Sequence, residues 1–155
     1  MRSRITNHTY DAENRLTQVI ASGVTTQYAY NGDGARVKKV VGSTATYYVG
    51  NWFEVTSSGA TTKYYYFGSK RVAMRTSAGV TYLHGDHLGS TSVTSGATSS
   101  TQTYYSYGGV RTTSGTLPTD YTFTGQKVDA SDGLMYYGAR YYDAALARFT
   151  QARHH

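Results

Sequence analysis

Short runs in which apolar and polar residues alternate recur along the whole chain, and clusters of Gly, Asn, Asp and Ser separate them. A period of two is the signature of half-buried strands, and Asx/Gly clusters are the signature of the turns between them. Residues 16–20 and 37–41 alternate in this way. So do residues 44–49 and 52–55, which flank the turn Gly50-Asn51. Residues 61–67 and 71–75 flank a Gly-Ser-Lys turn, and residues 80–83 and 92–94 flank a His-Gly-Asp-His loop. Residues 101–105 and 121–123 bracket a long polar stretch that contains Pro118, and residues 95–101 read as a flexible hairpin tip. Helix is nearly absent: residues 143–148 have the content for one turn, too short to hold itself. The pattern predicts an all-β protein, a continuous antiparallel hairpin meander over residues 1–152 forming a curved, tyrosine-rich sheet in one domain.

A repeat marks the start. Tyr10-Asp-Ala-Glu-Asn-Arg-Leu16 recurs as Tyr30-Asn-Gly-Asp-Gly-Ala-Arg-Val37. Each unit sets turn formers between an aromatic and an Arg-apolar pair, so each reads as strand, tight turn and returning strand. Repeated units of this size bury their faces only against neighbours. Such a strip has two open edges, which invite further pairing.

Composition sharpens this. The chain holds 17 Tyr against 4 Phe and 1 Trp. Tyrosine packs its ring while its hydroxyl seeks a partner, which suits sheets with half-wet faces. Adjacent tyrosines such as 47–48, 64–66, 104–105, 136–137 and 141–142 must clothe both faces of their strands. No cysteine is present, so no disulfide contributes. The net charge of +6 is scattered and makes no basic stripe of the kind nucleic acid requires. No apolar run is long enough to span a membrane, and the N-terminus has no apolar signal core. Residues 153–155 read as a tail or tag.

Three constellations are candidates for chemistry. His84, Asp86 and His87 put two imidazoles and a carboxylate within four residues, but strand-turn-strand geometry favours capping of local backbone over metal binding or proton transfer. Asp129 and Asp132 are spaced like a carboxylate dyad, yet Asp129-Ala-Ser-Asp-Gly133 is strong turn chemistry. No Gly-x-Ser-x-Gly elbow and no phosphate loop occurs. No cofactor is expected.

Four pieces late in the chain carry a resemblance: Tyr82-Leu-His-Gly-Asp-His-Leu-Gly-Ser90, Phe123-Thr-Gly-Gln126, Gly133-Leu-Met-Tyr-Tyr-Gly-Ala-Arg-Tyr-Tyr-Asp143 and Arg148-Phe-Thr-Gln151. In that order they resemble the Rhs repeat-associated core of bacterial polymorphic toxins, and the earlier units resemble its tyrosine-aspartate (YD) repeats. The match divides the chain into YD-like hairpins over 1–80 and the core signature over 81–152. It implies an architectural role for Tyr10, Asp11, Arg15, Tyr30 and Arg36 in the repeats, and for Tyr82, His84, Asp86, His87, Leu88 and Gly89 in the loop. It implies the same for Phe123, Gly125, Gly133, Tyr136, Tyr137, Arg140, Tyr141, Tyr142, Asp143, Arg148 and Phe149. Arg140 is expected to bond Asp143 or stack on a neighbouring tyrosine.

The resemblance further implies a structural, non-enzymatic shell segment that encloses or presents a C-terminal toxin, secreted or at the bacterial surface, with the flanking shell and the toxin segment as partners. The chain departs from the family pattern at Ala144 and Ala147, where proline and glycine are usual, and at Arg153, where an Asp is expected. Aspartyl self-cleavage, which needs two close carboxylates, is therefore not expected. The competing readings are a self-assembling extracellular β fibre, homo-oligomer or surface structural protein, and a glycan-binding module.

Overall fold

The computed structural model describes residues 5–151; the readings made for the extreme N-terminus and the tail lie outside them. Twelve strands follow one another in a single antiparallel sheet, each paired with its neighbours in sequence. They are β1 (Ile5–Tyr10), β2 (Leu16–Ala21), β3 (Val24–Tyr30), β4 (Arg36–Val41), β5 (Thr44–Val49) and β6 (Phe53–Thr56). Then come β7 (Thr61–Phe67), β8 (Lys70–Thr76), β9 (Gly79–Gly85), β10 (Thr91–Gly96), β11 (Ser100–Tyr104) and β12 (Val110–Ser114). The all-β expectation is correct, and the hairpins up to β10 lie where the alternation put them.

One loop recurs. At Asp11, Asn31, Thr56, Asp86, Tyr105 and Thr122, the residue's N–H donates to the carbonyl four residues on, and its own carbonyl accepts from the N–H three residues on. The fourth residue is left-handed each time: Asn14, Gly34, Gly59, Gly89, Gly108 and Gly125, with φ between 58° and 90°. At Asp11, Asn31 and Asp86, Oδ1 also accepts from the N–H groups two and four residues on, at 2.8–3.1 Å. The short polar side chain thus satisfies turn amides that strand pairing leaves free.

The meander is not continuous. After β12 the chain leaves the large sheet through Pro118, makes an isolated bridge Tyr121–Lys127 and a 3-10 turn at Phe123–Gly125, and builds a second, four-stranded antiparallel sheet. Its strands are β13 (Lys127–Val128), β14 (Leu134–Tyr136), β15 (Tyr141–Asp143) and β16 (Arg148–Phe149). The long polar stretch between residues 105 and 121 contains β12, whose residues are all exposed. Residues 121–123 form no strand, and residues 144–147 form a turn rather than helix.

The second sheet and the segment leading into it lie against one face of the first through two cores. Leu16, Val19, Ala21 and Tyr28 pack with Leu134 and Tyr141. Farther along, Tyr64, Met74 and Leu83 pack with Tyr121. The large apolar members are essentially sealed, and each such side chain contributes about 1.5–3 kcal/mol. Adjacent tyrosines do divide between faces: Tyr64 is buried while Tyr65 is exposed, on the side that also carries Tyr82.

Candidate functional site at the junction of the two sheets

The polar side chains that join the sheets start from a shift of one residue. In the first repeat Tyr10 opposes Leu16; in the second, Tyr30 opposes Arg36. Alignment of the two arginines would match Arg36 with Arg15, but the five-residue loop places Ala35 there instead. A one-residue shift turns a side chain to the other face. Arg15 therefore stays in its loop, bonded through Nε to Asp11 Oδ2 at 2.7 Å and paired with Glu13. Arg36 points inward, with its side chain 1% exposed, into the layer where Leu16 packs.

There its guanidinium Nη1 donates to Asp129 Oδ2 at 2.5 Å, and Lys39 Nζ donates to Asp129 Oδ1 at 3.0 Å. Tyr28, Tyr48, Tyr136 and Tyr141 surround the guanidinium, with ring centroids 4.5–6.0 Å from its carbon. Burial works against the Asp129 charge, but Arg36 and Lys39 hold the carboxyl below the usual range. Burial likewise works against Arg36 and Lys39, and Asp129 raises both above their ordinary values. Asp132 lies in the opposite situation. Burial and the Asp129 charge lift it to about 6, while it accepts from Tyr28 Oη at 2.5 Å. Thr26 Oγ1 to Ser131 Oγ, at 2.8 Å, and Tyr30 Oη to Tyr141 Oη, at 2.9 Å, complete this polar seam.

A second buried pair, Lys127 with Glu54, ties β13 to β6. Burial lowers the Lys127 ammonium despite Glu54, and burial raises neighbouring Asp120. Arg71 lies over the Tyr121 ring at 3.2 Å. Asp129 is 0% exposed, and both its oxygens are committed to cations. Beside them a cleft of about 960 Å³ opens, lined among others by Arg15, Tyr30, Arg36, Tyr48, Lys127, Tyr136 and Arg140.

The residues singled out from the sequence divide into several groups. Tyr10, Tyr30, Tyr136 and Tyr141 enter the first core. His84, Asp86 and His87 do not converge: His84 Nε2 meets Ser95 Oγ at 2.9 Å, Asp86 caps its loop and His87 is exposed. Among the described residues no three His, Asp or Glu side chains are grouped to hold a metal. Tyr82 and Leu88 lie at the surface, 54% and 51% exposed, so neither is a core element. Phe123 packs on Tyr104, and Gly89 and Gly125 meet where the 3-10 turn touches the Asp86 loop. Gly133 supplies the left-handed residue of the Asp129 turn.

Arg140 neither bonds Asp143 nor stacks on tyrosine. Its guanidinium lies 3.8 Å from the Phe149 ring centroid, and Asp143 instead accepts from the Ala145 and Leu146 amides. Phe149 in turn meets Tyr137 and Tyr142 edge-on, Tyr142 Oη donates to the Tyr107 carbonyl, and Arg148 is exposed. Sequence reasoning missed Tyr28, Lys39, Tyr48, Glu54, Arg71 and Lys127 as members of the seam, and saw only turn chemistry in Asp129 and Asp132. Tyr28, Lys39 and Glu54 meet partners 104, 90 and 73 residues away, and no local spacing signals them.

No family model matches the chain, and no curated protein matches it. Solved structures do. The chain superimposes on the crystal structure of TcdB2-TccC3-TEV with a TM-score of 0.79 at 22% identity, over 96% of its own length and 9% of that chain. TcdB2-TccC3-Cdc42 matches with a TM-score of 0.78 at 22% identity, over 95% and 9%. The Photorhabdus luminescens Tc holotoxin pore, carrying a TccC3 mutation, matches with a TM-score of 0.79 at 21% identity, over 99% and 9%. The chain thus spans about a tenth of the chains it matches and shares with them an Rhs/YD-like β fold.

Proposed function

We propose that this chain is a non-enzymatic structural segment of an Rhs/YD-repeat shell, one end of a strip that encloses or presents a C-terminal toxin segment. The observation that carries the reading is its open, consecutive meander capped on one face by a second sheet, which matches a small part of much longer Tc toxin chains almost over its whole length. Several features support it. Among the described residues β1 and β12 each have one neighbour only, so the sheet is built to continue into flanking hairpins. Asp129 and Glu54 at the junction are tied up in structural pairs. The residues form a single unit whose partners are the flanking shell and the toxin, and its location is outside the producing cell.

Light scattering on the chromatographed chain tests this against the fibre reading. A monomer near 17.0 kDa supports an autonomous shell segment. An open-ended assembly transfers the function to a self-assembling fibre or surface structure.

A further inference from the structure

We propose that the cleft at the sheet junction binds a carboxylated saccharide. Its volume, about 960 Å³, lies in the range of small-molecule sites. Its walls combine flat rings, Tyr30, Tyr48 and Tyr136, with the cations Arg15, Lys127 and Arg140. Two buried polar atoms of lining residues have no hydrogen-bond partner: Arg36 Nη2, on a side chain only 1% exposed, and Tyr48 Oη. Buried donors without acceptors are costly and uncommon in folded proteins, so a pair of them at one cleft marks a place for acceptor oxygens.

The lining carries both signs, with Glu13 and Asp33 among its carboxylates, and one cation stands apart. Arg15 is matched by Asp11 and Glu13, Arg36 by Asp129, and Lys127 by Glu54. Among the described residues Arg140 pairs with no carboxylate; it rests on Phe149 with its donors available. A carboxylate at Arg140 and hydroxyls at Tyr48 and Arg36 would satisfy all three.

The backbone argues for a sugar rather than an extended peptide. The strands that reach the cleft, β2 to β5, β14 and β15, are hydrogen-bonded on both sides, and Lys127 is paired with Tyr136 on one side and Tyr121 on the other. No free strand edge is offered for strand addition, so recognition falls to side chains and ring faces. This site stands independently of the shell reading.

Calorimetric titration with trigalacturonate, with maltotriose and triglutamate as comparators, tests it. Trigalacturonate is expected to bind with a Kd of about 0.1–1 mM, and maltotriose at least tenfold more weakly. Tyr48→Phe removes one hydroxyl that has no internal partner to lose, so it should weaken binding about fivefold with an undiminished melting temperature. Arg140→Gln should weaken it about tenfold. No heat at about 10 mM ligand, equal binding of maltotriose, tighter binding of triglutamate, or indifference to Tyr48→Phe would each overturn the assignment.

Discussion

Arg36 in β4 takes the place in the face layer that Leu16 takes in β2, and its guanidinium finds Asp129, 93 residues later in the chain. A core position held by leucine in one repeat is held by an ion in the next, and the charge is what fastens the second sheet.

Removal of one partner should cost far more than removal of both. Asp129→Ala leaves Arg36 and Lys39 buried without a counter-charge, an expected loss of about 3–5 kcal/mol in urea unfolding. The double variant Arg36→Leu with Asp129→Leu should recover much of it, since a well-packed apolar pair is often as stable as the buried ions. A double variant no better than Asp129→Ala alone would show that the aromatic surround, not the ion pair, holds the junction.

Acidity should act on the junction with two opposed signs. Asp132 has its folded value raised to about 6, above the ordinary 3.8. The folded state therefore holds that proton more tightly, so stability is highest below the unfolded value and declines as pH rises through about 6. Two units correspond to about 3 kcal/mol at most. Asp129 is lowered, so its contribution is present above 3.8 and lost as pH falls below it. Melting temperature should thus peak near pH 4 and decline between about 4 and 6, and Asp132→Asn should flatten that decline. A wild-type stability that rises steadily through that window would contradict the assignment.

The recurring loop separates two costs of a side chain at its left-handed position. Gly34 has φ of +78° with nothing within 4 Å of an added Cβ, so Gly34→Ala should cost about 1 kcal/mol from backbone strain alone. Gly108 has φ of +90°, and an added Cβ would lie 2.6 Å from Phe123. Gly108→Ala should cost about 1–3 kcal/mol beyond the first variant in chemical denaturation.

Arg140→Ala should lower stability by about 0.5–1 kcal/mol through the lost contact with Phe149, and Phe149→Leu should do so in a non-additive way. Additive losses in a double-variant cycle would show that the two do not interact.

Much of the large sheet was legible because its determinants are local. Alternation gives the strands, and Asx and Gly give the turns, as at Asp11, Asn31 and Asp86. β12 was illegible because Val110, Arg111 and Thr112 face water on both sides, so no apolar period marks them. The junction was illegible for a different reason. Arg36 and Arg15 look equivalent in the repeat, and only counting the five-residue loop shows that one stays outside while the other is drawn in. Arg140 was legible as an anchor, but the ring beneath it belongs to Phe149 rather than a tyrosine.

Each strand of the meander pairs with the one just synthesised, so the sheet can assemble from its N-terminal end by local steps. The second sheet cannot form until residues 127–149 exist. Until then Arg36 has no Asp129, and the tyrosines around it have no cover. A nascent chain halted before Asp129 should therefore hold a sticky aromatic face with an unmatched cation at its centre. Synthesis of residues 127–149 and neutralisation of that face are the same event, a built-in check on the order in which this segment folds.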